Sequence, residues 1–337
     1  MTAGAISTER PGEPGEVPAG EVPAGEVPAG EVPAGEVPAG EAPSSARLDS
    51  VPPELLVLAG ALSVQCGAGL ATMLLKEYGP LPVVTMRIVF GALLLLAFQP
   101  VRLRGATREA LVTCVVLGLI LAAMNSLFYV ALTRIPLGVA VTIEFWGPLT
   151  VAVLGSRRPL DLVWVVLAAA GIYMLAGGRF VADDALGLMA VFGAGACWAL
   201  YIVTGRHMAK YWPDGRGLTL AMVVASVAVL PVALGLSDFK PLASAPLAIA
   251  GGLVVALFSS AIPYTFEIAA LRRLRAATFG VLMSLEPAIA ATVGFLLLGQ
   301  VLHLPDLIAI ACVALASAGA SLSARRQTVA AGELEAA

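Results

Sequence analysis

The sequence predicts an all-α membrane protein with ten transmembrane helices, arranged as two inverted repeats of five helices. Three observations lead to this fold class. The 337 residues are 59% hydrophobic and 13% charged, which is too apolar for a soluble domain. Ten apolar segments have the length that crossing a bilayer requires. A motif in the third and fourth of these segments recurs 139 residues later, in the eighth and ninth.

The first 50 residues form a tail with a composition of its own. From Glu16 to Gly40 the pentapeptide EVPAG occurs five times. Proline and glycine in every repeat prevent a helix, and the acidic side chains repel one another, so we expect an extended, disordered segment. A solvated appendage is the simpler interpretation of this tail, and a binding role is left open.

The ten apolar segments follow the tail in chain order. Their ends are marked by charged residues, proline or glycine in the connecting loops. We assign residues 54–177 to the first repeat, 186–323 to the second and 324–337 to a C-terminal tail. The predicted helices are residues 54–76, 82–99, 109–133, 135–155, 160–177, 186–209, 216–235, 246–271, 275–299 and 305–323.

Basic residues orient the predicted helices. If the N-terminus is cytoplasmic, 15 of the 20 Lys and Arg residues fall in cytoplasmic segments, four fall on the opposite side and Arg87 lies within the second helix. This asymmetry follows the positive-inside rule. We therefore expect both termini to lie in the cytoplasm.

The recurring motif joins a helix end, a loop and the helix that follows. Ala131 to Pro148 reads ALTRIPLGVAVTIEFWGP, and Ala270 to Pro287 reads ALRRLRAATFGVLMSLEP. Helices three and four therefore correspond to helices eight and nine, and because five is odd, the second repeat enters the membrane with the opposite orientation. Inverted repeats are typical of secondary transporters, whose substrate site lies near the midplane between the halves.

Each copy of the motif carries a carboxylate close to a proline, about ten residues into a membrane helix. These are Glu144 with Pro148 and Glu286 with Pro287. A charge at this depth costs roughly 2.5 to 3.5 kcal/mol, so it should face the protein interior or a water-filled cavity. One interpretation is a site for a substrate amine or a proton. The alternative is a structural carboxylate that caps backbone groups freed by the prolines.

Arg87 is predicted near the outer end of the second helix. It can hold a substrate carboxylate through two hydrogen bonds or pair with a glutamate, and it can equally extend to the membrane surface. Glu267 is followed closely by Arg272, Arg273 and Arg275 at a cytoplasmic helix end. We expect Glu267 to be a structural residue, with a role in gating as the alternative.

Neutral polar and aromatic side chains on the apolar helices are further candidates for a pocket. Each can instead make an interhelical hydrogen bond of roughly 1 kcal/mol or pack against a neighbouring helix. Pro263 is expected to kink the eighth helix, and Pro148 and Pro287 are expected to break the fourth and ninth helices beside the carboxylates. The polar candidates are Ser63, Gln65, Asn125, Ser259 and Ser260, and the aromatic candidates are Trp146, Trp198, Tyr201 and Tyr264.

Several motifs that would indicate another class of protein do not occur. The sequence contains no GxxxxGK[ST] phosphate-binding loop and no GxSxG or HExxH motif, so we predict no enzyme and no cofactor. The four cysteines lie in apolar segments without CxxC spacing and predict neither disulfides nor a metal site. The basic residues are spread over short loops, which does not favour nucleic-acid binding.

Three stretches resemble the EamA-type drug/metabolite transporters. They are Met124 to Ala168, which contains EFWGP, Gly193 to Ile202, and Ser259 to Ala291, which contains SLEPA. The likeness extends from about Val57 to Ser323, and Gln300 stands where the family usually has glutamate. The resemblance implies the drug/metabolite transporter fold and an inner-membrane exporter of threonine, homoserine or similar compounds, driven by the proton gradient.

The implied partners are a small-molecule substrate, protons and the lipid bilayer, and a homodimer is left open. The cargo can instead be a drug-like cation, a purine or a sugar derivative, because a fold of this kind hosts many substrates. An interpretation of another class is a non-transporting scaffold or sensor whose acidic tail recruits a partner. A scaffold has no need of carboxylates at mid-membrane depth, which favours transport.

Overall fold

The computed structural model of this chain describes residues 50–335, except 102, 104–105, 155–158, 177–183, 213–214, 238, 240–243, 272 and 275. The repetitive acidic tail therefore lies outside the described residues. Within them the chain is helical and contains no strand. Eight helices in this part of the chain are long and apolar enough to cross a membrane, and the apolar helices Leu137–Val151 and Val163–Leu175 are shorter. This architecture is that of a multi-pass membrane protein.

We number the helices of the described residues α1 to α13 in chain order. The first eight are α1 (Pro53–Tyr78), α2 (Pro80–Phe98), α3 (Arg108–Leu132), α4 (Leu137–Glu144), α5 (Trp146–Leu154), α6 (Pro159–Ala176), α7 (Ala185–Ala209) and α8 (Arg216–Leu236). α9 (Pro246–Ala256) continues through a π-helical turn (Leu257–Ala261) into α10 (Ile262–Leu271). The last three are α11 (Ala276–Met283), α12 (Glu286–Leu298) and α13 (Leu304–Glu335).

The first, second, third, fifth, sixth and seventh predicted helices agree with α1, α2, α3, α6, α7 and α8 to within two residues at each end. Side-chain caps explain two of these boundaries. The Thr107 hydroxyl accepts a hydrogen bond from the Ala110 N–H at the start of α3, and Asp184 accepts one from the Gly187 N–H at the start of α7. Such caps replace the intrahelical partners that the first turn lacks.

The fourth and ninth predicted helices are each broken in two. α4 ends at Glu144 and α5 begins at Trp146, while α11 ends at Met283 and α12 begins at Glu286. Hydropathy alone assigned each segment as one helix, and the breaks expected at Pro148 and Pro287 are confirmed. The two carboxylates of the repeated motif therefore lie directly at helix breaks.

Proline explains the position of both breaks. Pro148 and Pro287 have no backbone N–H, so neither can donate the hydrogen bond that a continuous helix requires to the residue four positions earlier. Those earlier residues are Glu144 and Met283, the last residues of α4 and α11. Each break thus begins where a proline leaves a carbonyl group without its intrahelical partner.

The eighth predicted helix contains the π-helical turn, which ends just before Pro263. A π turn shifts the hydrogen-bond register by one residue and is a common site of helix distortion. The Phe258 carbonyl, which Pro263 cannot reach with an N–H, accepts a hydrogen bond of 2.7 Å from the Ser63 hydroxyl on α1. The distortion predicted at Pro263 therefore takes the form of a π turn held by α1.

The last helix is longer than predicted. α13 continues through Glu335, whereas we predicted a helix end at residue 323 and a separate tail at 324–337. The segment after residue 323 is rich in alanine, glutamate and arginine and contains no proline, so its helix propensity is high. The prediction relied on apolar length, and that signal ends at the edge of the membrane.

Helices from the two predicted repeats pack against one another. α3 lies against α7 and α8, and α1 lies against α10 and α12. α2 contacts α8, α4 contacts α12, and α6 contacts α13. A large cluster of buried apolar residues takes in both repeats. The core therefore lies between the repeats, where polar side chains are shielded from lipid.

Two of the helix contacts require glycine. A Cβ atom at Gly138 would lie 2.6 Å from the Cα atom of Ala291, so α4 and α12 meet backbone to backbone. Gly147 on α5 lies in the same way against the carbonyl group of Gly195 on α7. Small residues permit such close crossings of membrane helices. The α4–α12 crossing brings the helix of Glu144 next to the helix of Glu286.

Candidate functional site

A cavity of about 120 Å³ lies among α1, α2, α3, α4, α7, α12 and the π turn. It brings together most of the polar candidates from the sequence, together with Trp198. The polar lining residues are Gln65, Arg87, Asn125, Glu144, Ser259 and Glu286, and the apolar ones are Val64, Ala68, Met124, Phe128, Val141 and Trp198.

Glu144 lies at the cavity end of α4 and is 7% exposed. No hydrogen bond from the described part of the chain reaches its carboxylate, whose oxygens keep some exposure to the cavity. The charges of Glu286 and Arg87 are close enough to act on it. A buried carboxylate without donors is costly unless a cation or a proton neutralises it. Glu144 is therefore available to a cationic group that enters the cavity.

Glu286 lines the same cavity but has a different environment. The Gln65 amide on α1 donates a hydrogen bond of 2.9 Å from Nε2 to Glu286 Oε1. Both side chains are buried, and the remaining oxygens, Gln65 Oε1 and Glu286 Oε2, have no hydrogen-bond partner. Glu286 also lies in the first turn of α12, where the partial positive charge of a helix N-terminus favours an anion.

Arg87 is the cation of the cavity. Its guanidinium carbon lies 5.4 Å from the ring centroid of Tyr129, which is fully buried on α3. Such a cation–π contact contributes about 0.5 to 2 kcal/mol. Arg87 makes no ion pair with any described residue. The ring thus holds the guanidinium at the cavity and leaves its N–H groups available to an anionic ligand.

Trp198 and Asn125 complete the walls. The Trp198 ring packs edge-on against Phe145, at the break between α4 and α5, with a centroid distance of 5.1 Å. Asn125 donates from Nδ2 to the carbonyl of Leu121 in its own helix, at 2.8 Å. This bond leaves the amide oxygen of Asn125 as a free acceptor beside the cavity.

Three aromatic candidates, Trp146, Tyr201 and Tyr264, lie outside the cavity lining. Trp146 donates from Nε1 to the Phe192 carbonyl at 3.2 Å, in the interface between α5 and α7. Tyr264 lies on α10, where the charge of Glu267 acts on it. Glu267 also acts electrostatically on Glu286, so this residue, expected to be structural, lies nearer to the site than its sequence context indicated.

The capping alternative for the two glutamates has no support in their contacts. Proline leaves carbonyl groups unpaired, and an ionised carboxylate cannot donate a hydrogen bond to them. Neither Glu144 nor Glu286 has a hydrogen bond to a backbone group of the described residues. Their position at the cavity therefore calls for another explanation.

Polar contacts join the two repeats at the end of the molecule where α3 and α12 end and α4 and α7 begin. Arg134 Nη1 lies 3.1 Å from Asp184 Oδ2. The Gly187 N–H and the Arg134 guanidinium lower the pKa of Asp184, so the carboxylate of this bridge remains ionised at neutral pH.

Gln300 makes the second of these contacts. The Leu137 N–H at the start of α4 donates to Gln300 Oε1 at 2.9 Å, and Pro136 before it provides no side-chain cap. Gly299, with φ of +63°, ends α12, and the Gln300 N–H returns to the Gly294 carbonyl at 3.0 Å. The Gly299 N–H also donates to the Phe295 carbonyl at 3.1 Å, which makes this turn an αL-type C-cap. The turn directs a side chain of the second repeat to the first turn of α4.

The sequence identified Gln300 only as a departure from a family pattern. Glycine followed by a polar residue after an apolar helix predicts a helix end, and that signal was available. The partner of the side chain lies 163 residues away and had no signal in a single sequence. Gln300 is thus a structural contact at the site that pattern reasoning missed.

One guanidinium and two carboxylates line the cavity. An α-amino acid carries an ammonium and a carboxylate group on one carbon atom, and this arrangement is complementary to both charges. Among the described residues no three His, Cys, Asp or Glu side chains are placed to hold a metal ion. The geometry therefore fits a small zwitterion held by side chains of the protein.

Comparison with known proteins gives a consistent family assignment. The model of the EamA-like transporter family matches residues 185–322. The threonine/homoserine exporter RhtA of Salmonella typhimurium (strain SL1344) is 40% identical over 295 residues, which cover 84% of this chain and 96% of that protein. The threonine/homoserine exporter RhtA of Escherichia coli (strain K12) is 40% identical over 283 residues, which cover 82% and 93%.

More distant similarities agree with the fold. The uncharacterized transporter YyaM of Bacillus subtilis (strain 168) is 25% identical over 219 residues, which cover 60% of this chain and 71% of that protein. One crystal structure superposes with a TM-score of 0.58 at 17% identity, over 81% of this chain and 98% of the other, and supports the helical fold. These relatives are transporters and not enzymes, and the chain belongs to the EamA-like transporter family as a relative of the RhtA exporters.

Proposed function

We propose that this chain is a secondary active exporter of threonine, homoserine or similar amino acids in the inner membrane. The observation that carries the proposal is the cavity that Arg87, Glu144 and Glu286 line together. The names of the RhtA relatives, 40% identical over most of the chain, support the choice of cargo. The volume of about 120 Å³ favours a small metabolite over a drug-sized molecule, whose sites typically exceed 300 Å³.

The substrate lies across the cavity in this proposal. Its carboxylate takes two hydrogen bonds from the Arg87 guanidinium, a geometry that arginine supplies and lysine does not. Its ammonium group lies at Glu144, which has no hydrogen bond from the described residues. Trp198 and Phe128 form an apolar wall beside it. The cavity lies within one chain, so this mode of binding does not require a homodimer.

Ten membrane segments in two inverted repeats complete the proposed architecture. The breaks assign α4 with α5 to the fourth segment, α9 with α10 to the eighth and α11 with α12 to the ninth. The contacts support the repeat, because exchange of the two halves turns the α3–α7 contact into the α10–α1 contact. The α2–α8 and α6–α13 contacts each exchange with themselves. The distribution of basic residues supports cytoplasmic termini.

The contacts of the broken helices support an alternating-access cycle. α4 and α12 cross closely at the end that carries the Arg134–Asp184 and Leu137–Gln300 contacts. Beyond the breaks, α5 instead packs against α7, and α11 packs against α13. With cytoplasmic termini, the crossed end faces outwards, so the conformation described here is closed to the outside. Rocking of the halves about the breaks would expose the cavity alternately.

Protons provide the driving force in this proposal. One elementary charge that moves down a membrane potential of 100 mV supplies ~2.3 kcal/mol. At about 1.4 kcal/mol per tenfold concentration ratio, one proton per substrate sustains roughly a fifty-fold gradient. The carboxylates of the cavity are the groups that can carry this proton.

The test is uptake of labelled threonine by everted membrane vesicles, whose outer face is the cytoplasmic face of the protein. We expect accumulation when the lumen is acidic, and loss of accumulation when a protonophore collapses the gradient. Glu144→Gln should remove accumulation, whereas Glu54→Gln, an exposed glutamate at the start of α1, serves as the matched control. Accumulation that is unchanged by the protonophore would exclude proton coupling. Accumulation by Glu144→Gln at the wild-type level would exclude Glu144 as part of the substrate site.

A further inference from the structure

We propose that Gln65 and Glu286 form a dedicated proton-holding pair, and that Glu144 alone receives the ammonium group of the substrate. When Glu286 is protonated, its carboxylic acid and the amide of Gln65 are joined by two hydrogen bonds. This inference rests on the proton-driven export proposed above. It goes further by dividing two tasks between two carboxylates of the same cavity.

The existing hydrogen bond already supplies half of such a pair. Gln65 Nε2 donates to Glu286 Oε1 at 2.9 Å, and the other two oxygens, Gln65 Oε1 and Glu286 Oε2, are buried without a donor. Both are acceptors when Glu286 is ionised, so neither can satisfy the other. A proton on Glu286 Oε2 makes that oxygen a donor to Gln65 Oε1. One proton therefore removes two unsatisfied buried acceptors.

The space around the two oxygens favours a proton over an ammonium group. Both atoms are sealed from any water-sized molecule. A proton occupies no additional volume, whereas an ammonium group is about as large as a water molecule. The oxygens of Glu144 keep some exposure to the cavity and make no hydrogen bond with the described residues. The two carboxylates thus differ in access, and the accessible one suits the larger cation.

Contacts of the pair also stabilise the deprotonated form of Glu286, which a proton carrier requires. When the O–H bond on Oε2 breaks, the electron pair stays on the oxygen, and the proton passes to water in the state of the transport cycle in which the cavity is open. The Gln65 N–H then still donates to Oε1, and the first turn of α12 offers its partial positive charge. Glu286 therefore has a stabilising contact in both protonation states, so neither state prevents transfer of the proton.

The surrounding charges link the two carboxylates. Those near Glu286 are Glu144 on α4 and Glu267 on α10, and Arg87 on α2 acts on Glu144. With Glu144 ionised, the negative charges favour retention of the proton by Glu286. An ammonium group at Glu144 neutralises one of them and favours release of that proton. Binding of substrate is thereby coupled to loss of the proton, which is the exchange that an antiporter needs.

Infrared spectroscopy of the full-length protein in lipid vesicles tests the assignment without transport. We expect the carbonyl band of a protonated carboxylic acid in the wild type, its loss in Glu286→Gln, a shift in Gln65→Leu and its retention in Glu144→Asp, which keeps the negative charge at that position. Addition of threonine should remove the band from the wild type. A band that disappears in Glu144→Gln and persists in Glu286→Gln would overturn the proposal, as would a band unaffected by Gln65→Leu.

A flux ratio in the same vesicles separates this inference from the proposed function. We expect the ratio of proton-driven accumulation to threonine–threonine exchange to fall at least tenfold in Glu286→Gln, because the amide cannot release a proton. A wild-type ratio maintained in Glu286→Gln would overturn the proton assignment while leaving export intact. If threonine accumulation by the wild type does not respond to a pH gradient, the proposed proton-driven export itself is contradicted.

Discussion

Glu144 and Glu286 line the same cavity, but their surroundings differ. Glu286 has the Gln65 amide at 2.9 Å and a place in the first turn of α12, whereas Glu144 has no hydrogen-bond donor among the described residues. Their helices come from matching copies of one sequence motif, in which the carboxylates stand four residues and one residue before the proline. The difference teaches that a duplicated motif supplies two similar acids, and that a neighbouring helix makes them chemically distinct.

Removal of the charge of Glu144 should have the largest effect. A hydrogen bond that involves a charged group contributes about 1.5 to 3 kcal/mol, so Glu144→Gln should weaken threonine binding by roughly ten- to hundred-fold. Glu144→Asp retains the charge and should bind more tightly than Glu144→Gln. Calorimetric titration of the purified protein measures both. Equal affinities for Glu144→Gln and the wild type would mean that the ammonium group lies elsewhere.

Replacement of Arg87 should have the next largest effect. Lysine keeps the positive charge but cannot form two parallel hydrogen bonds to a carboxylate, so Arg87→Lys should lose about tenfold in affinity. Arg87→Gln removes the charge and should lose more. Titration with threonine in both variants ranks them. If Arg87→Lys binds like the wild type, a point charge is sufficient and the two-pronged geometry is unnecessary.

The contact that holds α4 against α12 should affect stability more than affinity. Gln300→Leu leaves the Leu137 N–H without its partner, which costs about 1 to 3 kcal/mol for a buried donor. We expect a lower melting temperature in detergent and a smaller change in threonine affinity. Gln300→Glu retains a side-chain acceptor and is the matched control. A melting temperature unchanged by Gln300→Leu would show that the contact does not stabilise the α4–α12 crossing.

The ion pair at the same end should have the smallest effect on the pH response. The pKa of Asp184 is lowered by the Gly187 N–H and the Arg134 guanidinium. A lowered pKa gives a stabilising contribution that is complete above the ordinary value near 4 and is lost as the pH falls through the lowered value. The bridge is therefore constant between about pH 5 and pH 8.

Asp184→Asn tests this expectation. We predict that the pH profile of threonine transport keeps its midpoint in this variant, because the titrating groups lie in the cavity. A displaced midpoint would assign part of the pH response to the Arg134–Asp184 bridge and weaken the contrast between Glu144 and Glu286.

Much of the fold could be predicted because apolar length, loop charge and helix caps are local signals. The repeated motif also identified Glu144 and Glu286 as a related pair. The breaks after Glu144 and before Glu286 could be predicted from Pro148 and Pro287, because a missing N–H is a local signal, although hydropathy alone assigned each segment as one helix. The contacts of Gln65 and Gln300 could not be predicted, because each joins residues that are far apart in the sequence, by 221 and 163 positions.

Binding of threonine and two singly blocked derivatives by the wild-type protein tests most directly whether the cavity recognises a zwitterion. N-acetylthreonine lacks the ammonium group that Glu144 would bind, and threonine methyl ester lacks the carboxylate that Arg87 would bind. We predict that each derivative binds at least about tenfold more weakly than threonine, since each loses one charged hydrogen-bonded contact. Either derivative binding as tightly as threonine would contradict the proposed charge-separated site.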